Sequence, residues 1–345
     1  MKTYDSIIIG GGQAGLSMAY FLRRNKIDYL VLDSNSISGG SWLDTWDSLR
    51  LFSPTEYNSL SGWPMPKSKQ EYPTRNEFIT YLKKYEERYK MNIKRNINVI
   101  SVTKKKSVFV IQTNQEVFYA KTVVSATGTA KKPYIPKYTN HELYEGIELH
   151  SIDFKNTDHL IGKRVLIVGG GNSGAQILAE VSKVASTQWV TLKEPVFLPD
   201  NVDGRYLFNT ASNNYRNKGK NQETVNLGNV VMIDVVKDAR KRNVLSSKRP
   251  FLSFFNKGVV WADGTKEDFD VVIWCTGFKA NLEHLKDLGI VENNKILTKG
   301  TNSVLEPKLW LLGYGNWTGF ASATIYGVGK TARKTASEIQ SILEQ

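Results

Sequence analysis

Two glycine-rich segments have the spacing best suited to chemistry in this sequence of 345 residues. Gly10, Gly12 and Gly15 form one G-x-G-x-x-G motif, and residues 169–174 form a second. Each motif follows an apolar run typical of a buried parallel strand and precedes a helical pattern. In that context the glycines permit a tight turn, close approach of the backbone to a pyrophosphate, and close packing of the helix. The sequence therefore predicts two βαβ units that each bind a dinucleotide.

The residues after the second strand of each unit predict how a ribose is recognised. In the first unit the strand over residues 29–32 ends at Asp33, whose carboxylate is placed to accept a hydrogen bond from a ribose hydroxyl. In the second unit the strand over residues 187–192 is followed by Lys193 and Glu194. A cation favours the 2′-phosphate of NADP, whereas a carboxylate favours the free hydroxyl of NAD. Lys193 can also be read as a plain surface lysine, so the preference for NADPH or NADH stays open.

Several further elements must position these two units. Thr74 and Glu77 have the spacing of a capping box, which predicts a helix over residues 74–89. Alternating apolar residues predict a small β meander over residues 98–124 and a β-rich stretch over residues 229–263. The remaining predicted elements are helices over residues 14–25, 175–184 and 327–343 and strands over residues 270–277 and 308–313.

The order of these elements predicts that the second unit is inserted into the first. Two dinucleotide sites in one chain imply a flavin that is held permanently and a nicotinamide that delivers hydride to it. The predicted fold is α/β, with two Rossmann-like domains of the kind found in glutathione reductase. The FAD-binding domain is expected over residues 1–155 and 270–345, and the inserted NAD(P)-binding domain over residues 156–269.

A resemblance to a known family rests on these motifs together with four others. The others are GGSW at residues 39–42, ATG at 126–128, YEGIELHSIDF at 144–154 and CTGF at 275–278. Over essentially its whole length the chain resembles the flavin-containing monooxygenases, and most of all their short bacterial, type II-like members. The resemblance implies FAD and NADPH as cofactors, with NADH as a further donor. It also implies a C4a-(hydro)peroxyflavin that gives one oxygen atom to a soft nucleophile, a thioether sulfur or an amine nitrogen.

The chain departs from the family pattern in the motif at residues 144–154, at Phe52 and at Asn316. Tyr144 and Phe154 exchange the aromatic residues of the motif F-x-G-x-x-x-H-x-x-x-Y, while Gly146 and His150 match it. Related Baeyer–Villiger enzymes carry tryptophan at the place of Phe154, which weakens a ketone-oxidising interpretation, and His150 is expected to have a structural role. Phe52 stands near the place of a flavin-side asparagine and is the best pocket candidate.

The predicted cofactor-binding residues come from both glycine motifs and from the segments that carry the resemblance, including Asn316, where the family has an acidic residue. No catalytic residue and no metal ligand is predicted. The cofactor-binding residues are Gly10, Gly12, Gln13, Ala14, Gly15, Asp33, Ser34, Gly40, Ser41, Trp42, Leu51, Phe52, Val99, Ala126, Thr127, Gly128, Gly169, Gly171, Asn172, Ser173, Gly174, Lys193, Thr276, Gly277, Asn316 and Thr324.

Composition limits the other classes of function. The net charge is +13, but the lysines and arginines are scattered without interleaved aromatics, which indicates solvated surface and no nucleic-acid partner. No apolar run reaches the roughly 18 residues of a membrane span, so we expect a cytoplasmic protein with no membrane partner. The expected partners are a small-molecule substrate and O2, and the resemblance suggests a homodimer.

Two alternative functions remain at this point. One is a plain NAD(P)H oxidase or quinone reductase, which would release hydrogen peroxide. The other is a flavin redox sensor of low turnover, against which the intact second motif argues. A disulfide reductase is excluded because Cys275 is the single cysteine. An ATP site at residues 324–331 is excluded because Thr324 stands where a phosphate loop needs glycine.

Overall fold

The structure is a computed structural model that describes residues 2–202, 206, 229–319 and 321–345. The chain divides into two compact units. Unit 1 comprises residues 1–43, 55–132 and 279–345, and unit 2 comprises residues 44–54 and 133–278. In chain order most of unit 2 lies between two parts of unit 1. The predicted fold class, α/β with parallel sheets, is confirmed.

The regular elements are numbered in chain order. The helices are Gln13–Arg24 (α1), Arg75–Tyr89 (α2), Asn172–Val181 (α3), Asp234–Lys241 (α4) and Ile325–Leu343 (α5). Short 3-10 helices cover Gly40–Asp44, Thr55–Tyr57, His141–Leu143, Asp158–Leu160, Glu283–Leu288 and Asn316–Thr318. The first strands are Thr3–Ile9 (β1), Tyr29–Leu32 (β2), Ile93–Lys94 (β3), Val99–Lys105 (β4), Val108–Thr113 (β5), Val117–Ser125 (β6), Ile147–His150 (β7), Arg164–Val168 (β8) and Ser186–Val190 (β9). The others are Ser247–Lys248 (β10), Ser253–Phe255 (β11), Gly258–Val260 (β12), Lys266–Asp268 (β13), Val271–Trp274 (β14), Val291–Glu292 (β15), Lys295–Ile296 (β16), Thr298–Lys299 (β17), Asn302–Ser303 (β18) and Leu309–Leu311 (β19).

Unit 1 is built on a parallel sheet in the order β19-β6-β1-β2-β3, with β17 and β18 added antiparallel beyond β19. Strands β4 and β5 form the predicted meander with β6. The three isoleucines that end β1 and the four residues of β2, Tyr-Leu-Val-Leu, are all buried, as in parallel strands covered on both faces by helices. Helix α1 packs against α5. Every central strand therefore ends at the same edge of the sheet, where the first glycine motif begins.

Unit 2 repeats this plan. Its larger sheet has five described strands, all parallel, in the order β10-β9-β8-β14-β7. Strand β8 leads through the second glycine motif into α3. A separate antiparallel sheet of β11, β12 and β13 lies in the same unit. Its apolar side chains join a buried cluster with the sheet strands, in which Trp274 and Phe254 are almost fully enclosed.

Two sequence predictions about unit 2 differ from the structure. The predicted β-rich stretch contains α4, whose buried Val236 and Ala239 lie three residues apart on one helix face. The compact units divide near residues 132 and 278, whereas the prediction divided the chain at 155 and 269. The physical reason is long-range pairing, because β7 and β8 both pair with β14. The predicted NAD(P)-binding range also includes residues 203–205 and 207–228, which lie outside the described residues.

The structure also bears on the membrane expectation. Within residues 2–202 and the later described ranges, no helix is long and apolar enough to cross a bilayer.

Candidate functional site

The first glycine motif lies at the carboxyl end of β1, where the sheet of unit 1 meets α1. Gly10 has a φ of +107°, and a Cβ on it would lie 2.5 Å from the carbonyl oxygen of Ala126, just past β6. Gly12 is the N-cap of α1, and a Cβ on Gly40 would lie 2.6 Å from its Cα. Only glycine fits at these close approaches. The strand end, the helix start and the turn at Gly40 therefore form one narrow cradle from four predicted residues.

The start of α1 offers what a pyrophosphate requires. Among the described residues no side chain caps this helix, whereas hydroxyls of Thr74 and Thr324 cap α2 and α5. Amides at a helix start carry partial positive charge and donate to anions. A Cβ on Gly12 would meet only the Cα of Gly40, at 3.6 Å, so the space around this N-cap is otherwise open. The cradle therefore fits the pyrophosphate of FAD.

Gln13 links three predicted segments around this cradle. Its side-chain oxygen accepts a hydrogen bond from Nε1 of Trp42 at 3.1 Å, and its side-chain nitrogen donates to the carbonyl of Ala323 at 3.0 Å. The next residue, Thr324, uses its hydroxyl as the N-cap of α5, accepting from the amide of Gly327 at 3.0 Å. The structure thus brings the GGSW segment and the start of the last helix to α1.

Asp33 lies beside the same motif, directly after β2. Its carboxylate is buried and forms an ion pair with Arg95, and a Cβ on Gly11 would lie 2.7 Å from its Oδ2 atom. The G-x-G-x-x-G pattern leaves Gly11 unspecified, yet a side chain there would displace the Asp33 carboxylate. Sequence reasoning missed Arg95, because no local pattern connects residues 62 positions apart.

Three further predicted residues of unit 1 lie in the segments that follow β2, β6 and β19. The hydroxyl of Ser34 accepts a hydrogen bond from Lys131 at 2.6 Å, and Asn316 begins a 3-10 helix after β19. Gly128 has a φ of +65°, which ends the ATG segment in a left-handed turn. Val99 is different, because it packs against the hydrophobic core of unit 1.

A buried hydrogen-bond network supports the ATG segment from behind. The hydroxyl of Tyr314 lies 2.5 Å from Oγ of Ser125 and 2.7 Å from Oγ1 of Thr127, and it accepts from the Thr127 amide at 3.2 Å. Oγ of Ser125 also lies 2.9 Å from Nε2 of His284. Polar groups buried this deeply are rigid when they are satisfied. The network therefore fixes the turn that follows β6.

This network predicts how stability depends on pH. Burial lowers the pKa of His284 from 6.5 to about 4. Between these two pH values the unfolded chain is protonated at this residue and the folded chain is not. The stability contributed by neutral His284 is present above pH 6.5 and is lost as pH falls to 4, by about 3 kcal/mol. The free energy of unfolding, measured with urea, should fall between pH 7 and pH 4, and this fall should be smaller by about 3 kcal/mol in His284→Asn than in the wild type. The exposed His159 is the control, since His159→Asn should keep the wild-type pH dependence; equal pH dependence in His284→Asn would contradict the expectation.

The second glycine motif repeats the cradle in unit 2. Gly171 is the N-cap of α3, no side chain of a described residue caps that helix, and a Cβ on Gly171 would meet nothing within 4 Å. Nε1 of Trp189 donates to the carbonyl of Gly169 at 2.8 Å and so holds the turn from the neighbouring strand. The Asn172 side chain bonds to the backbone of residues 229 and 231, and Gly174 packs under the turn. This second helix start also fits a pyrophosphate.

The end of β9 presents charged groups near this cradle. Lys193 is exposed, and Glu194 pairs at 2.6 Å with Arg249, which follows β10. Strands β9 and β10 are parallel neighbours, so these charges stand at one edge of the sheet. Nη1 of Arg249 also donates to the carbonyl of Thr191 at 3.3 Å. Sequence reasoning missed Arg249, because its strand has only two residues and gives no pattern.

The predicted pocket residues Leu51 and Phe52 belong to unit 2 and not to the unit that carries the first motif. Leu51 is buried and Phe52 is half-buried. Their segment, residues 44–54, is fastened to the rest of unit 2 by hydrogen bonds that include one from Nζ of Lys155 to the carbonyl of Asp44. The hydroxyl of Ser48 lies 2.6 Å from both carboxylate oxygens of Glu180 on α3, and the Asp47 amide donates to the carbonyl of Lys155 at 3.0 Å.

The motif at residues 144–154 attaches β7 to both ends of β14. The hydroxyl of Tyr144 donates to the carbonyl of Phe269 at 2.9 Å, and Nε2 of His150 lies 3.0 Å from the carbonyl of Gly277. The amide of Ile152 donates to Nδ1 of His150 at 3.3 Å, so the proton belongs on Nε2. Burial lowers the pKa of His150. These contacts support the structural role expected for His150. Thr276 lies after β14, and its hydroxyl donates to the carbonyl of Tyr134 at 2.5 Å.

Comparison with known proteins places the chain in a family. Residues 7–313 match the family described as "Pyridine nucleotide-disulphide oxidoreductase". The chain is 43% identical to a flavin-containing monooxygenase of Stenotrophomonas maltophilia, with a TM-score of 0.93 over 99% of this chain and 100% of that one. It is 33% identical to the "Uncharacterized oxidoreductase CzcO" of Bacillus subtilis, over 95% of this chain and 97% of the relative. It is 24% identical to the probable indole-3-pyruvate monooxygenase YUCCA1 of Arabidopsis thaliana, over 97% and 89%.

The family and the enzyme class predicted from the motifs are confirmed by these matches. The protein is an NAD(P)H-dependent flavoprotein oxidoreductase. The chain therefore belongs to the pyridine nucleotide-disulphide oxidoreductase family and, within it, to the flavin-containing monooxygenases that its sequence resembles.

Proposed function

We propose that this flavoprotein monooxygenase transfers one oxygen atom of O2 to a soft nucleophile, a thioether sulfur or an amine nitrogen. For a thioether the balance is NAD(P)H, a proton, O2 and the thioether giving NAD(P)+, water and the sulfoxide. The observation that carries the proposal is the pair of helix starts with a glycine N-cap, at Gly12 and at Gly171, each following a parallel strand and lacking a side-chain cap, one in each compact unit. Two such cradles suit one resident flavin and one exchangeable hydride donor.

We assign FAD to unit 1 and the nicotinamide coenzyme to unit 2. In unit 1 the amides at the start of α1 would bind the pyrophosphate, Asp33 the adenosine ribose, and Gln13 with Trp42 would hold the cradle closed. In unit 2 the start of α3 would bind the coenzyme. When bound, FAD supplies the redox chemistry, by accepting hydride and reacting with O2. The task of the protein is to orient the reactants and to exclude water.

The alternative of disulfide chemistry, which the family name also covers, has no support in this chain. Disulfide exchange needs a thiolate with a second thiol or a disulfide within reach. The sequence has one cysteine, and burial raises the pKa of the Cys275 thiol to about 12. Cys275 follows β14 in the sheet of unit 2 and serves packing there.

The oxygen balance tests the proposal. NADPH consumption, sulfoxide or amine-oxide formation and hydrogen peroxide release should be measured together, with and without methyl phenyl sulfide and a tertiary amine. The proposal expects one oxygenated product for each NADPH and little peroxide when a nucleophile is present. An NAD(P)H oxidase would release peroxide in step with NADPH whether or not the nucleophile is added, and that outcome would overturn the proposal.

Coenzyme preference should be modest. Exposed Lys193 would contribute on the order of 1 kcal/mol to binding of a 2′-phosphate, or about fivefold to tenfold in affinity. Glu194 opposes it, and Arg249 is engaged by that carboxylate at 2.6 Å. We therefore expect Lys193→Ala to raise the Michaelis constant for NADPH by this factor and to leave that for NADH nearly unchanged. An equal rise for both coenzymes would show that Lys193 does not bind the phosphate.

A further inference from the structure

We propose that Arg95 is a positioning residue for FAD, which orients the Asp33 carboxylate toward the adenosine ribose and ties it to the turn at Gly40. The inference rests on the role proposed above for Asp33. Arg95 itself would touch no reacting atom. It acts through two carboxylates, and each step of the link lies within unit 1.

The first step is the guanidinium of Arg95, which bridges two carboxylates. The guanidinium of Arg95 donates through Nη1 to Oδ2 of Asp33 and through Nη2 to Oε1 of Glu86. The three side chains are 18%, 5% and 16% exposed, so the pairs are largely shielded from water. Shielded ion pairs of this kind have defined geometry, and loss of one partner leaves an uncompensated charge. One planar group therefore fixes the orientation of two acidic side chains.

The second step is the backbone that carries Arg95. Strand β3 is parallel to β2, with Leu32 paired to Lys94. The amide of Asp33 donates to the carbonyl of Lys94 at 2.9 Å, and the amide of Ile97 donates to the carbonyl of Asp33 at 2.9 Å. Arg95 thus directly follows the end of β3, which is held in register with the end of β2, and its side chain reaches the Asp33 carboxylate.

The third step reaches the other wall of the cradle. Glu86 lies in α2, and its Oε1 also accepts a hydrogen bond from the hydroxyl of Ser38 at 2.7 Å. Ser38 immediately precedes the turn at Gly40, whose backbone lies against the Cα of Gly12. The chain of contacts Asp33, Arg95, Glu86 and Ser38 therefore connects the ribose side of the cradle to its pyrophosphate side.

The Asp33 carboxylate keeps capacity for a ligand. Oδ2 accepts from Arg95 and Oδ1 accepts from the amide of Asn35 at 3.3 Å. An ionised carboxylate offers about four acceptor positions, so two remain for the two ribose hydroxyls. Because the fork of arginine spans two acceptors and an ammonium is a point charge, lysine at this place would hold one carboxylate and release the other.

The adenosine half of FAD gives a selective test, since FMN lacks that half. Flavin-free full-length protein should be titrated with FAD and with FMN, following flavin fluorescence, and folding should be checked by thermal melting. Arg95→Met should weaken FAD binding at least about tenfold and leave FMN binding within about twofold. The FAD affinity of Arg95→Lys should lie between those of the wild type and Arg95→Met. The matched control is Lys2→Met, which removes an exposed pair with Asp28 from the same unit and should change neither affinity.

The Asp33→Asn variant distinguishes the ribose contact proposed for Asp33 from the positioning role proposed for Arg95. If it leaves FAD affinity unchanged, the ribose role of Asp33 fails, and the inference about Arg95 fails with it. If Asp33→Asn weakens FAD binding but Arg95→Met does not, the inference about Arg95 alone is overturned. Equal loss of FAD and FMN affinity in Arg95→Met would indicate a general structural role and would also overturn it. In the Asp33→Asn background, Arg95→Met should weaken FAD binding little further.

Discussion

The Gly12→Trp variant is expected to purify as a folded, colourless protein. A side chain at the N-cap of α1 would occupy the space in front of the first helical amides, where the pyrophosphate of FAD must lie. Hydrogen bonds from amides to a charged group contribute about 1.5–3 kcal/mol each. Loss of two would weaken FAD binding roughly a hundredfold or more. The flavin content per chain is measured from the visible absorbance spectrum after gel filtration.

The loss at Gly12 must be specific to the flavin. Far-ultraviolet circular dichroism should match the wild type, because a Cβ at Gly12 makes only an ordinary contact, 3.6 Å from Gly40. Full retention of FAD by Gly12→Trp would refute the assignment of the flavin to unit 1.

Gly171→Trp is expected to remain yellow and to lose reduction by NADPH, with a rate about a hundredfold lower. A Cβ at Gly171 would meet nothing within 4 Å, so unit 2 can fold around the substitution. The indole would nevertheless lie before the first amides of α3 and exclude the coenzyme. The measurement is the anaerobic bleaching of flavin absorbance after mixing with NADPH.

Dithionite is the control reductant, because it reduces flavin without a binding site for a dinucleotide. It should bleach Gly171→Trp and the wild type alike. Reduction of Gly171→Trp by NADPH at the normal rate would mean that the second motif is not the coenzyme site.

Local sequence signals were enough to predict the elements of both cradles. The strand at residues 29–32 and the capping box of Thr74 and Glu77 are found as predicted, because each depends on neighbours a few residues apart. Helix α4 was missed because its apolar face has only two buried residues, Val236 and Ala239, among polar ones. Valines at 235 and 236 favour a strand when the local pattern is considered alone.

Contacts between distant parts of the chain could not be predicted in this way. Arg95 and Arg249 each meet their carboxylate across more than 50 positions. The role of residues 133–155 in unit 2 likewise depends on the pairing of β7 with β14. Such pairs are set by strand order and register, which one sequence does not encode in any local window.

The attachment of residues 44–54 to unit 2 restricts how these enzymes can be recombined. A fragment of residues 133–278 moved into a relative would arrive without Ser48, the partner of Glu180 at 2.6 Å, and without buried Trp46. The recipient would supply its own version of that segment, fitted to a different helix. Chimaeras that exchange coenzyme preference therefore need both segments, residues 44–54 and residues 133–278, replaced together, which takes four junctions. Libraries that exchange residues 133–278 alone should yield mostly mismatched, unstable hybrids.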